Sequence, residues 1–310
     1  LRVSVMTRAI FRKSRSTVSF ATACSSWLKA GRPMQRKVNT MPRTPDTGQQ
    51  RASALRVAII LGTGGSGRDL MDKVRPLLGK EHDVEMQGVF IEEAEIQYAA
   101  ELPFVQELCR VTFDVREFTN DQFEKALELR MRSARRALDL LASRAGIRHT
   151  FRNVRGTALS LLRETAERSD ITLFEPSRLY ASGSPAGIRR RNIVAVVTDP
   201  ESVAGIIRTA LRLAGGREEM LSVVMLPRPG VSTAGLAESV RNVLNGHPVQ
   251  TRVAGGGDAP AVVDVSRKMG ASMLVLPASS EWMEPVALKR LRDELRCPVC
   301  LVRCRDGGKA

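Results

Sequence analysis

The chain has few histidines, no long apolar segment and no regular set of cysteines. No apolar stretch approaches the roughly 18 residues that a membrane-spanning helix needs, so we predict no contact with a membrane. The five cysteines are an odd number without the spacing of secreted disulfide frameworks, which favours a reducing compartment and a cytoplasmic protein. The three histidines are too scattered to build a nucleophile, base and acid set or a zinc site, so we predict no catalytic residue and no metal ligand.

Acidic residues are almost absent from the first 55 positions, which hold 11 Lys and Arg but only Asp46 as an acid. The other 255 residues hold 37 basic and 32 acidic side chains, so most of the net charge of +15 belongs to this tail. We therefore disfavour a nucleic-acid partner for the rest of the chain. The tail's composition predicts disorder, and it is either transit-peptide-like or an extension upstream of a start at Met34 or Met41.

The remainder reads as the same pattern written twice, over residues 56–177 and 192–304. Each copy opens with a buried apolar strand, near Val57–Leu61 and Ile193–Val197, and continues as alternating helices and strands. Such β-α-β repeats predict an α/β fold of two tandem, doubly wound parallel sheets. A linker over 178–191 joins the copies, and 305–310 form a short tail. No segment before the linker corresponds to the last helix and strand, so the first copy is predicted to lack them.

Helix signals place two long elements between the strands of the first copy. A helical stretch is predicted from Ala94 to about Cys109, with Pro103 expected to kink or split it. A longer helix follows Asp121, in which apolar residues recur every 3 or 4 positions as one buried stripe. In the second copy, Asp199 or Ser202 is predicted to cap the first helix, and Asp258 the third.

A glycine-rich turn follows the first strand of the first copy and precedes a helix. Its residues fit the G-x-G-x-x-G pattern that lets a backbone approach a phosphate, and they are Gly62, Thr63, Gly64, Gly65, Ser66 and Gly67. The acid expected at the end of the next strand is Glu92, which comes somewhat late. A tight strand-to-helix turn needs small residues in any case, so both interpretations stay open.

The C-terminal Cys297-Pro298-Val299-Cys300 has the spacing of a redox or metal-binding pair. This motif follows a helix and enters a strand, whereas a reactive pair begins a helix. Along a strand, positions three apart face opposite sides, so the two thiols cannot form one clamp without distortion. We therefore disfavour a redox or metal function for it.

Several motifs of the second copy resemble the universal stress protein family. The order of its elements matches that family's five-strand unit, and Leu295 to Arg303 is similar to its closing strand. Asp199 and Ser202 match the polar residues that hold the adenosine part of ATP in binding members, and Gly255 and Asp258 lie in a turn similar to the family's Gly-Asp-Pro turn. The first copy resembles a divergent unit with a helical insertion from 94 to 146, and the resemblance implies an adenine nucleotide alpha hydrolase-like fold and a homodimer joined by a last strand.

One departure concerns the phosphates of ATP. ATP-binding members carry a glycine-rich phosphate loop after the fourth strand, whereas this chain has Ser279-Ser280-Glu281-Trp282 there and Pro176-Ser177-Arg178 in the first copy. ATP or another adenine nucleotide is thus a candidate ligand without its usual loop. We predict a non-catalytic, universal-stress-type protein that senses a small ligand in stress response. The alternatives are an enzyme that uses a nucleotide at 62–67, and a protein-interaction scaffold in which a neighbouring chain or domain covers the edge after Ile171–Phe174.

Overall fold

The computed structural model describes residues 5–6, 54–62, 67–79, 83–102, 106–109, 115–117, 119–177, 192–256 and 258–304. The predicted linker and the C-terminal tail lie outside these residues, as does the N-terminal tail apart from Val5–Met6 and 54–55. Among the described residues, no helix is long and apolar enough to cross a membrane.

Twelve strands and eight α-helices alternate along these residues in chain order. The strands are β1 (Val5–Met6), β2 (Leu55–Leu61), β3 (Val84–Glu93), β4 (Gln106–Cys109), β5 (Val115–Glu117), β6 (Arg148–Gly156), β7 (Ile171–Phe174), β8 (Asn192–Val197), β9 (Leu221–Met225), β10 (Gln250–Val253), β11 (Ala271–Pro277) and β12 (Val299–Val302). The helices are α1 (Arg68–Val74), α2 (Ala94–Ala100), α3 (Asn120–Ala145), α4 (Ala158–Arg168), α5 (Pro200–Leu213), α6 (Thr233–Leu244), α7 (Ala259–Lys268) and α8 (Pro285–Glu294).

Nine of the strands form one sheet, in the order β10-β9-β8-β11-β12-β7-β2-β3-β6. This confirms the predicted α/β fold with a mostly parallel sheet, but the strands of the two copies do not form separate sheets. Within this nine-stranded sheet all neighbours of one copy are parallel, and the copies meet where β12 pairs antiparallel with β7. A neighbouring domain therefore covers the edge that the first copy's missing last strand would leave open.

The pairing of β7 with β12 lies in the centre of the molecule. Val299 faces Phe174 and Val302 faces Ile171 in its register, and all eight residues of the two strands are at most 5% exposed. Helices α1, α3, α5 and α6 contribute to the apolar core on one face of the sheet, and α4, α7 and α8 to the core on the other. Both cores contain residues of both copies, so the copies fold against a shared interior.

The insertion of the first copy differs from the helix predicted there. Helix α2 ends at Ala100, and Gln106–Cys109 is a strand that pairs antiparallel with Val115–Glu117 and with Val5–Met6. The prediction of helix up to Cys109 was wrong because Gln106–Cys109 pairs as a strand, whereas the end of α2 at Ala100 agrees with the break expected near Pro103. The predicted stripe of α3 is confirmed, since Ala134, Leu138 and Leu141 are buried.

Polar contacts join the copies beside the central pair of strands. Arg292 of α8 forms an ion pair with Glu93 at the end of β3, with Nη2 and Oε2 2.6 Å apart. These side chains are only 19% and 14% exposed, and the carbonyl of Arg292 also accepts from the backbone N–H of Ser177 at 2.6 Å. On the opposite side of the join, Arg303 donates to the carbonyl of Glu167 at 2.6 Å.

We predict that Arg292→Met destabilises the protein by about 3 kcal/mol, because it removes the guanidinium that pairs with the largely buried carboxylate of Glu93. Arg290→Met is the matched control on the same helix. It removes an exposed pair with Glu294 and should cost less than about 1 kcal/mol. Urea unfolding gives both free energies, and equal losses would contradict a special role for the pair between the copies.

Candidate functional site

The two copies present their strand ends at opposite edges of the sheet, because β7 and β12 run antiparallel. Ligands of open α/β sheets bind at carboxyl ends, where neighbouring strands connect in opposite directions. That point lies between β8 and β11 in the second copy and between β2 and β7 in the first. We call these two places the second-copy crevice and the first-copy crevice.

Asp199 follows β8 directly and is fixed at the second-copy crevice. Its Oδ1 accepts from the backbone N–H of Ser202 at 2.8 Å, which caps α5, and its Oδ2 accepts from the Thr198 hydroxyl at 2.9 Å. Ser202 in turn donates its hydroxyl to the carbonyl of Asp199 at 3.0 Å. The predicted cap is therefore confirmed, and Asp199 and Ser202 lie together as the sequence indicated.

Two further charged residues, Arg228 and Glu281, lie at the second-copy crevice, and neither was predicted from the sequence. Arg228 follows β9, and its Nη2 lies 3.9 Å from Oδ2 of Asp199. Its Nε lies 3.3 Å from Oε2 of Glu281, in the turn after β11. Arg228 thus joins the ends of three strands, with the side chains of Asp199, Arg228 and Glu281 exposed by 23%, 34% and 40%. The sequence signal that could have identified Arg228 and Glu281 is their position, because each follows a strand that ends at the same edge of the sheet.

The turn after β11 lies at the same edge of the sheet as Asp199. The backbone N–H of Met283 donates to the carbonyl of Ser279 at 3.1 Å, which closes the turn. Trp282 is fully buried in the core that contains residues of α7 and α8. The buried indole of Trp282 anchors this turn to the interior of the protein. A glycine-rich loop that wraps a ligand has no such anchoring side chain.

Gly255 and Asp258 lie on the same edge but are farther from Asp199. They follow β10, which is separated from β8 by β9. The carboxylate of Asp258 accepts from the N–H of Ala261 at 3.1 Å, which confirms the predicted cap of α7. Among the residues that the structure describes, no other heavy atom lies within 4 Å of a Cβ built on Gly255. The structure therefore gives these two residues no contact with Asp199.

The first-copy crevice contains the ends of the predicted glycine-rich turn. Thr63, Gly64, Gly65 and Ser66 lie outside the described residues. Gly67 has a φ of 67°, and a Cβ there would lie 2.9 Å from Leu61, so the backbone and the space both require glycine. A Cβ on Gly62 would lie 3.6 Å from the carboxylate of Glu93, which Arg292 of the other copy engages. Helix α1 has only seven residues, which makes it a weak dipole for a phosphate.

The cysteines of the C-terminal motif lie on opposite faces of the sheet. Cys300 belongs to one apolar core and Cys297 to the other, as the strand geometry predicted. Burial raises the pKa of Cys297 to about 12 and raises the pKa of Cys300 as well. Burial, together with the charge of Asp199, raises the pKa of Cys304 to about 11. No group of three or more possible metal ligands occurs in the part of the chain that the structure describes.

We predict that Cys304 reacts slowly with iodoacetamide in the folded protein. A pKa near 11 instead of its ordinary value near 9 leaves about 100-fold less thiolate at pH 8, and only the thiolate attacks. Alkylation followed by mass spectrometry should show this rate rising about 100-fold in concentrated urea, with Cys297 and Cys300 unmodified until unfolding. Rapid modification of Cys304 in the folded state at neutral pH would contradict the raised pKa.

Comparisons with known proteins gave matches among solved structures only. No family model and no curated protein matches the chain. The matched structures include a Pseudomonas aeruginosa UCBPP-PA14 protein described as "Putative Universal Stress Protein" (9% identity, TM-score 0.36, 81% of this chain and 94% of that one) and a Pseudomonas aeruginosa PAO1 protein of unknown function (9%, 0.36, 81% and 93%). Another is the cytoplasmic domain of a prokaryotic cation chloride cotransporter (8%, 0.39, 81% and 96%).

Proposed function

We propose that this chain is a non-catalytic, universal-stress-type protein that binds a small ligand in the second-copy crevice. An adenine nucleoside or nucleotide is the first candidate ligand, and a role in the cytoplasmic stress response accompanies the family resemblance. The observation that carries the proposal is the fixed position of Asp199 beside Arg228, where strand order reverses. An acceptor and a donor held on strand ends can orient a polar ligand.

The groups of the crevice suit binding better than chemistry. The carboxylate of Asp199 caps α5 and accepts from Thr198, so each of its oxygens already accepts one hydrogen bond. The nearby thiol of Cys304 lies 3.7 Å from the carbonyl of Ser202, and its raised pKa keeps it protonated at neutral pH. A general base must be free to take a proton, and a nucleophile must be ionised or activated.

Titration calorimetry with adenosine, AMP, ADP, ATP and cyclic AMP tests the proposal. We predict that at least one of them binds, and that Asp199→Asn weakens it about tenfold, because the amide keeps the helix cap but replaces one oxygen by a donor. Asp264→Asn is the matched control, since it removes a carboxylate that is exposed on α7 and pairs with Lys268. Absence of binding by all five compounds would sink the ligand-binding function and leave the scaffold.

A homodimer would need a different edge from the one that the resemblance implies. Strand β12 has partners on both sides, so it has no free edge for a second copy. The outer strands are β6 and β10. Strand β6 carries exposed Arg148, Arg152 and Arg155, and such charges discourage edge pairing. We propose that a second copy pairs with β10, whose four residues are all exposed and carry a single charge.

Light scattering tests this dimer. We predict twice the mass of one chain for the native protein, and a monomer for Val253→Lys, which places a charge beside the unpaired edge of β10. Val253 is 57% exposed, so the substitution should not disturb the core. Val286→Lys, at a 76% exposed position on α8, is the control and should remain dimeric. A native monomer would rule out the proposed pairing.

A further inference from the structure

The second-copy crevice has a local excess of negative charge. Among the described residues, Arg228 is the cation within 4 Å of the carboxylates there, and it lies between them, 3.9 Å from Asp199 and 3.3 Å from Glu281. A phosphate would have to compete with both for the same guanidinium. Because the three side chains are only partly exposed, their charges are screened less than those on an open surface. An anionic ligand is therefore disfavoured in this crevice.

The helix ends that could attract a phosphate at this edge already hold carboxylates of the chain itself. Asp199 accepts from the N–H of Ser202 at the start of α5, and Asp258 accepts from the N–H of Ala261 at the start of α7. A capping carboxylate uses the free N–H groups and offsets the positive end of the helix dipole. Neither helix start is thus available as a phosphate site of the usual kind.

Hydrogen-bond donors, in contrast, remain available at the turn after β11. The Nε and Nη2 of Arg228 lie at ion-pair distance from their carboxylates, but the geometry does not make hydrogen bonds. Among the described residues, Ser279 Oγ and Trp282 Nε1 are also buried without a hydrogen-bond partner. Ser279 lies two residues before Glu281 in this turn, whereas the indole of Trp282 is fully buried in the apolar core. Buried donors without acceptors are costly, which favours a ligand that supplies acceptors.

We propose that the second-copy crevice selects an uncharged polar ligand of the nucleoside class and discriminates against its phosphorylated forms. The inference rests on the proposed function and adds the charge of the ligand to it. The ring nitrogens or hydroxyls of such a ligand accept from Ser279 and Arg228, and its own N–H or O–H groups donate to Glu281. The polar groups of the ligand and of the protein are then hydrogen-bonded, and no further negative charge is placed beside the carboxylates of Asp199 and Glu281.

Affinities of the full chain for adenosine, AMP and ATP test the selection. We expect adenosine to bind about tenfold more tightly than ATP at low salt, because ATP brings its charge close to both carboxylates. The ratio should fall to about threefold in high salt and in Glu281→Gln, since both weaken that repulsion. A ratio that neither change affects would indicate steric exclusion and would overturn the electrostatic selection.

Two further variants test the Ser279 donor. Ser279→Ala removes one hydrogen-bond donor while keeping most of the packing, and it should weaken adenosine about fivefold. Ser280→Ala changes the exposed neighbour and should leave the affinity unchanged. Unchanged adenosine affinity in Ser279→Ala, or ATP binding as tightly as adenosine, would overturn this inference but leave the ligand-binding function standing. No binding by any of the three compounds would count against the proposed function itself.

Discussion

The antiparallel pairing of β7 with β12 is the constraint on which the rest of the structure depends. Each copy alone would end in a strand with unpaired backbone groups on one side, and such an edge attracts other chains. Here one strand serves both copies, as the last strand of the second and the neighbour of β7 in the first. The first copy can therefore do without a last strand of its own, and the two cores become continuous across the join.

This pairing also decides where functional sites can lie. Since the copies run in opposite directions, their carboxyl ends lie at opposite edges, and one ligand cannot contact both crevices. The first-copy crevice is next to the helix α8 of the second copy, and Arg292 engages Glu93 there. In the second-copy crevice, the ion pairs of Arg228 with Asp199 and Glu281 join residues of the second copy to one another. The two copies thus differ in role. The first-copy crevice contributes to the contact between the copies, and the second-copy crevice presents polar groups.

Local signals predicted much of this structure correctly. Strands β7 and β12 and helix α6 have the predicted bounds, and Asp199 and Asp258 cap the predicted helices. These features depend on residues within a few positions of one another, such as an apolar run or a carboxylate three residues before an N–H. The predicted helix up to Cys109 failed because the pairing of that segment with Val115–Glu117 was not visible in its own composition.

The sequence by itself determined the α/β class, the order of the elements in the second copy, the helix caps and the separation of Cys297 from Cys300. Tertiary structure alone decided that the copies share a sheet, that Arg292 meets Glu93, and that Arg228 lies between Asp199 and Glu281. Arg292 and Glu93 are 199 residues apart, and nothing in either neighbourhood specifies the other. Periodicity and capping act over a few residues, whereas such contacts depend on which strands become neighbours, and that is settled only when the whole sheet forms.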